Sequence, residues 1–197
     1  MSGTSPGAGH DDEVVRKVLA GDRDAYREIV ERYGSRLIAF CRSRMQSDED
    51  ARDAAQDVFV RAYSSLSSFR QGESFASWFF AIAANHVRTR FRLIRSEKHK
   101  SEALLIELST AVPVDPVDEA DRAMNAEALR RAVRALPPDM RWPVEFYYFA
   151  GLSVAETARV LALSEEATKT RLFRARKSLR SFLEDAQPAR DSRGIPI

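Results

Sequence analysis

The chain has 197 residues, 44% hydrophobic and 30% charged, an ordinary globular composition with room for one domain or two small ones. Eight glycines and eight prolines are too few for a linker protein, and the single cysteine, Cys41, excludes an intrachain disulfide. The net charge of +2 conceals its distribution. Arg88, Arg90, Arg92, Arg95, Lys98 and Lys100 stand against Glu97 alone, whereas Asp115, Asp118, Glu119 and Asp121 form a run without a cation. The N-terminal MSGTSPGAGHDDE lacks an apolar core for a signal peptide, and no apolar run is long enough to cross a bilayer. A reducing, cytoplasmic location is therefore expected, with Cys41 a packed small side chain.

The pattern predicts helices throughout, with Gly and Pro where helices end and no strand-like alternation. Residues 1–10 are Gly/Ser/Pro-rich and expected to be disordered. Asp11 and Asp12 can cap a short helix through Leu19. A longer one begins at Asp22, with Ala25, Ile29, Tyr33, Leu37 and Phe40 near one stripe. A third runs from Asp48 or Asp50 to about Leu66. SSFRQGES (67–74) reads as a loop. In the fourth helix Phe75, Trp78, Phe79, Ile82, Ala83 and His86 recur at i, i+3, i+4, i+7, i+8 and i+11, which predicts one aromatic-rich buried face. Pro113, Pro116 and the surrounding acids suit an exposed connector. A second block follows from about Ala120 to Glu184. Pro137 and Pro138 divide its first helix from its second.

The richest segment is Gly151 to Arg180. Ser153 and Glu156 stand at capping-box spacing, and Ser164 can cap a second helix. There Thr168, Leu172, Ala175 and Leu179 share a core-facing stripe, and Glu166, Thr170, Phe173, Arg174 and Lys177 lie opposite. Six cations and no acid stand between Lys169 and Arg180. Such a pair of helices suits insertion into a DNA major groove; an amphipathic pair with a solvated basic face has the same pattern.

Chemistry for an enzyme is not visible. Asp48, Glu49, Asp50, Asp53 and Asp57 crowd the third helix, but acids at a helix start complement its dipole. The three histidines stand at no ligand spacing, and no Gly-rich phosphate loop is present. No metal, cofactor or catalytic set is expected, and His86 reads as a packed core residue. The fourth helix and the loop before it interleave cations with Asn85, Phe91 and Phe69. That mixture suits single-stranded nucleic acid, but also a core-closing Phe69 beside solvated arginines.

DARDAAQDVFVRAYSSLSSFRQGESFASWFFAIAANHVRTRFR resembles region 2 of bacterial sigma factors, and LPPDMRWPVEFYYFAGLSVAETARVLALSEEATKTRLFRARKSL resembles region 4. With no domain between them, the chain is similar to the extracytoplasmic-function (ECF) group of the sigma-70 superfamily across roughly residues 12–183. The resemblance implies an all-helical fold of two small domains on a flexible linker: 11–95 as region 2, 96–119 as linker and 120–184 as region 4, with 1–10 and 185–197 disordered. It implies that Asp53, Gln56, Asp57 and Phe59 dock on the clamp helices of the RNA polymerase large subunit, whose flap is a second contact. It assigns Phe69, Arg70, Asn85, Arg88 and Arg92 to the −10 element, where a flipped base is captured. Lys169, Thr170, Arg171, Phe173 and Arg174 go to the −35 element, with Lys169 and Arg171 on phosphates. An anti-sigma factor is the implied regulator, and promoter DNA and polymerase core are the implied partners.

Three residues depart from the family pattern. Arg52 places a cation in a mainly acidic docking helix. Pro143 stands inside a helix, where it removes a backbone hydrogen bond. Thr168 replaces an apolar residue on the buried face of the recognition helix, where its hydroxyl can bond back to a carbonyl. The competing reading is a freestanding, dimeric helix-turn-helix regulator, which accounts for Gly151 to Arg180 but leaves Phe69 to Arg92 without a role.

Overall fold

The computed structural model describes residues 8–45, 47–101 and 129–185. Helix α1 (Ala8–Leu19) begins ahead of the expected caps, because Asp11 does something other than cap. It is buried, accepts a 2.7 Å hydrogen bond from the Tyr33 hydroxyl and pairs with Arg32, which fastens α1 to α2 (Tyr26–Arg42). Asp22 caps a short 3-10 turn (Arg23–Ala25) that runs into α2. The expected stripe of Ala25, Ile29, Tyr33, Leu37 and Phe40 is buried throughout.

Ser47 caps α3 (Asp48–Ser64) by accepting from the Asp50 amide. The buried face of α3 is mostly alanine: Ala51, Ala54, Ala55 and Ala62 surround Val58. Small side chains bring its backbone close to the bulky residues of α2 and of α4 (Phe75–Ser101). Tyr33, Phe40, Phe75, Phe79 and Phe80 interlock at ring distances of 5.2 to 6.4 Å. Each fully buried phenylalanine contributes on the order of 1.5–3 kcal/mol. Helix α4 runs to Ser101, past the expected domain end at 95; the rest of the expected linker lies outside the described residues.

The second block comprises α5 (helical at 129–135), α6 (Pro138–Val144), α7 (Val154–Leu161) and α8 (Glu165–Asp185). Val133, Leu136, Val144, Leu172 and Ala175 form its own core. Pro143 lies inside α6, and the helix then widens into a π-type turn (Glu145–Phe149) closed by Ala150 N donating to Glu145 O at 2.9 Å. A proline without an N–H and with a ring against the preceding turn is the physical cause of such a loosened ladder. Gly151 ends this segment at φ +64°, a left-handed conformation that favours glycine.

The blocks are in contact. Phe146, Ala150 and Leu152 belong to the aromatic core of the first block, and Phe146 stacks on Phe40 at 5.2 Å. Arg44 donates through Nε to Glu145 at 2.7 Å, and both side chains are buried. Burial pushes the Glu145 carboxyl up, to about 7, with Arg44 opposing the shift. Arg36 donates to the carbonyls of Ala150 (2.6 Å) and Gly151 (3.0 Å). The sequence left the relation of the two blocks open; this interface defines it.

Candidate nucleic-acid and polymerase surfaces

Two helical stripes face each other across a groove of about 660 Å³ in the first block. From α3 come Asp57, Val60, Arg61 and Ser64; from α4 come Ile82, Asn85, His86 and Thr89. Both sets follow i, i+3, i+4, i+7, so each helix presents one face. Its size falls in the range of clefts that hold small ligands, about 300–1,000 Å³. Val60 and Ile82 offer apolar surface, while Asn85 and Thr89 offer amide and hydroxyl groups. Asn85 Oδ1 accepts from Arg88 at 3.2 Å, which leaves the amide nitrogen as a donor, and Thr89 donates to the Asn85 carbonyl at 2.9 Å. Arg90 is drawn to Asp50 at 2.9 Å and so braces α4 against the start of α3.

His86 lies at the groove wall with its Nε2 3.6 Å from Asp57 Oδ2 and without a hydrogen bond. Burial, then the charge of Arg61, holds its pKa below 6.5, while Asp57 acts in the opposite direction. The ring is neutral near pH 7. His86 is thus part of a polar groove, rather than only the packed core residue its place in the apolar pattern had suggested.

The expected −10 residues do not all converge. Asn85 lines the groove. Phe69 is buried, edge-on to Phe75 at 5.2 Å and beside Trp78 at 5.5 Å, so it closes the core in this conformation. Arg70 is exposed in the loop before α4, whose first residue, Phe75, is about 15 Å along the helix from Asn85 by helix rise. Gly72 N donates to Asp12 at 3.0 Å and Ser74 Oγ donates to Glu156 at 2.8 Å, which pins the end of that loop that leads into α4. Arg88 does not line the groove itself; it donates to Asn85 and stands 5.2 Å from the Trp142 ring. The side chain of Arg92 lies outside the described residues.

Of the expected docking residues, Asp53, Gln56 and Asp57 are exposed on α3, as is Arg52. Phe59 is half-buried against Phe79, and its carbonyl accepts from Tyr26. Asp57 also lines the groove with Asn85, so two surfaces kept separate in the sequence reading share a wall. Val60, Arg61, Ser64, Ile82 and Thr89 were missed there; the helical stripe from Asp57 carried the signal for the first three. Among the described residues no group of His, Cys, Asp and Glu could hold a metal.

In the second block, Ser153 and Glu156 form the capping box at the start of α7, and Ser164 Oγ accepts from the Ala167 amide at the start of α8. The turn between them passes through Ala162 in a left-handed conformation. Thr168 is fully buried and donates to the Ser164 carbonyl at 3.0 Å, which satisfies the hydroxyl. Leu172 and Ala175 are buried on the same side. Lys169, Thr170, Phe173 and Arg174 are exposed, Phe173 to 65%, and Arg171 is partly covered.

Known families match both blocks. Sigma-70 region 2 matches residues 29–96, and Sigma-70, region 4 matches residues 126–179. The ECF RNA polymerase sigma factor SigM of Mycobacterium tuberculosis is 32% identical over 173 residues, covering 88% of this chain and 84% of that protein. The ECF RNA polymerase sigma factor BldN of Streptomyces coelicolor is 32% identical over 176 residues, covering 88% of this chain and 66% of its own length. Among solved structures, CnrH in complex with the cytosolic domain of CnrY superposes with a TM-score of 0.70 at 25% identity, covering 90% of this chain and 99% of that one. The chain belongs to the ECF group of sigma-70 RNA polymerase sigma factors. It is an all-helical transcription initiation factor, and the dimeric regulator is set aside.

Proposed function

We propose that the two blocks divide promoter recognition between them while RNA polymerase core carries out the chemistry. Helix α8 enters the major groove of the −35 duplex, with Thr170, Phe173 and Arg174 toward base edges and Lys169 and Arg171 toward phosphates. The groove between α3 and α4 receives an unstacked base of the −10 element, with Val60 and Ile82 against its faces and the Asn85 amide toward its edge. Asp53, Gln56 and the outer edge of Asp57 meet the polymerase clamp, with Phe59 beneath them. Residues 11–95 and 120–184 are the two working domains.

The supporting observation is the pairing, on one chain, of a polar-apolar groove at Asn85 with an exposed, cation-flanked Phe173. A lone DNA-reading unit needs only the second. A protein regulator, the anti-sigma factor that the family resemblance implies, completes the reading, and the complex of CnrH with the cytosolic domain of CnrY supports a protein partner for this chain. The reading places it in the cytoplasm with the polymerase core, which supplies the catalytic groups. No helix among the described residues is long and apolar enough to cross a membrane. Run-off transcription with purified core and genomic promoter fragments tests the reading. Protein-dependent transcripts sharing one upstream motif support it, and binding to a symmetric duplex without core contradicts it.

A further inference from the structure

Phe69 and Ser74 fix the two ends of the loop that leads into α4. Phe69 is buried against Phe75 and Trp78, and Ser74 Oγ accepts from the Ser77 amide at 3.2 Å. Between them Arg70, Gln71, Gly72 and Glu73 are all exposed. Glu73 N donates back to Arg70 O at 3.2 Å, and Gly72 takes φ +86°. A glycine at positive φ, third of four residues closed in this way, is the signature of a type II turn. Such a turn satisfies the amide of its fourth residue and leaves that of its third, here Gly72, without a partner inside the turn. Asp12 of α1 supplies the acceptor: its Oδ2 lies 3.0 Å from Gly72 N, across 60 positions of sequence. Among the described residues, this is the hydrogen bond that reaches the turn from another element.

The Asp12 carboxylate does little for the core. Its second oxygen, Oδ1, is buried without a partner, a cost that alanine would not carry. The neighbouring Asp11 holds α1 to α2 through Arg32 and Tyr33. That anchor fixes the rotation of α1 about its axis, and the next residue, about 100° round the helix, meets the turn. Resting on the sigma-factor reading above, we infer that Asp12 is a positioning residue for the −10 element, which holds the Arg70–Glu73 turn in one shape before DNA arrives. The turn carries the Arg70 guanidinium and the Gln71 amide, groups that hydrogen-bond phosphates and base edges. From Phe75, where the loop ends, to Asn85 is about 15 Å along α4, the length of about four stacked nucleotides at about 3.4 Å each. The turn and the groove therefore suit nearby positions of one melted strand. A free loop loses its freedom on binding and so weakens the contact; a tethered one has lost it already.

Asp12→Ala and Asp12→Asn separate holding from folding, because asparagine keeps an acceptor oxygen in place. Amide hydrogen exchange at Gly72 in the free full chain reads the turn directly. It should quicken by about tenfold in Asp12→Ala and stay near native in Asp12→Asn. With core and a promoter fragment found by run-off transcription, Asp12→Ala should lose about tenfold in discrimination between the preferred −10 sequence and one with a substituted base. Discrimination at −35, affinity for core and the thermal midpoint should hold, and Asp12→Asn should recover most of the loss. Equal Gly72 exchange in the native chain and Asp12→Ala overturns the inference, as does unaltered −10 discrimination or a failure of Asp12→Asn to rescue. A joint fall in core affinity and thermal midpoint in Asp12→Ala makes Asp12 a folding residue and overturns it too. If Gly72 exchange depends on Asp12 but the native chain supports no transcription with core, the sigma-factor reading fails instead.

Discussion

Arg44 lies flat on Trp142, its guanidinium carbon 3.3 Å from the ring centroid, while its Nε donates to Glu145. One side chain in the turn after α2 thus meets two consecutive turns of the second block, α6 and the π-type turn. The geometry follows from Pro143: the widened ladder after it places Glu145 and Phe146 side by side in the interface, both fully buried. A residue that is a liability in a regular helix here aims a charge and a ring at the same partner surface.

Replacing Asn85 by alanine is expected to weaken promoter melting while leaving the fold intact. The side chain is exposed, and its only described side-chain partner is Arg88. The loss should be about 1–3 kcal/mol, read as a roughly 5- to 150-fold fall in open complex on a preferred promoter, with core affinity unchanged. Permanganate footprinting of the −10 region measures it, and an unaltered footprint would remove Asn85 from the groove's function.

Phe173→Ala and Arg174→Ala should act on the other element. Both side chains are open to solvent on α8, so their removal should change folding stability by no more than about 0.5 kcal/mol. Selection at −35 should fall by about 1–3 kcal/mol per lost contact. Competition between intact and scrambled −35 duplexes reads the effect. Equal losses in that assay and in core binding would argue against the division of labour.

Phe69 separates packing from base stacking. Its ring is buried against Phe75 and Trp78, so Phe69→Ala should cost about 3–5 kcal/mol of stability. Phe69→Leu keeps most of the volume, and its stability should fall much less. If Phe69→Leu melts promoters normally, the ring serves the core; a melting defect in a stable Phe69→Leu protein shows that the loop opens to present it.

His86 gives the fold a pH dependence of known sign. Its folded pKa is held below 6.5 by burial and by Arg61, so the unfolded chain takes up the proton more readily. The contribution to stability is complete above about 6.5 and declines as pH falls below it. His86→Asn should therefore flatten the stability profile between pH 7 and 5. Urea titrations at several pH values measure this, and parallel profiles for both proteins would exclude the imidazole as the cause.

Much of this was legible in the sequence. The 3.6-residue spacing identified the buried stripes of α2, α4 and α8, and Ser153 with Glu156 marked the start of α7, because these signals are local. What was not legible joins residues far apart. Arg44 and Glu145 are 101 positions apart, and nothing in either neighbourhood names the other. Asp11 looked like a helix cap because its partners, Arg32 and Tyr33, lie on the next helix. The groove was half visible. Asn85 came from family resemblance, but the stripe facing it on α3 was read for its acids, and His86 for its apolar neighbours.

The most direct test of the central claim is run-off transcription from promoter fragments with core alone and with core plus the protein. Transcripts that require the protein, start downstream of one shared pair of elements and disappear with both Asn85→Ala and Arg174→Ala are the predicted result. Core-independent binding to a symmetric duplex, with no transcripts and no association with core, would contradict it.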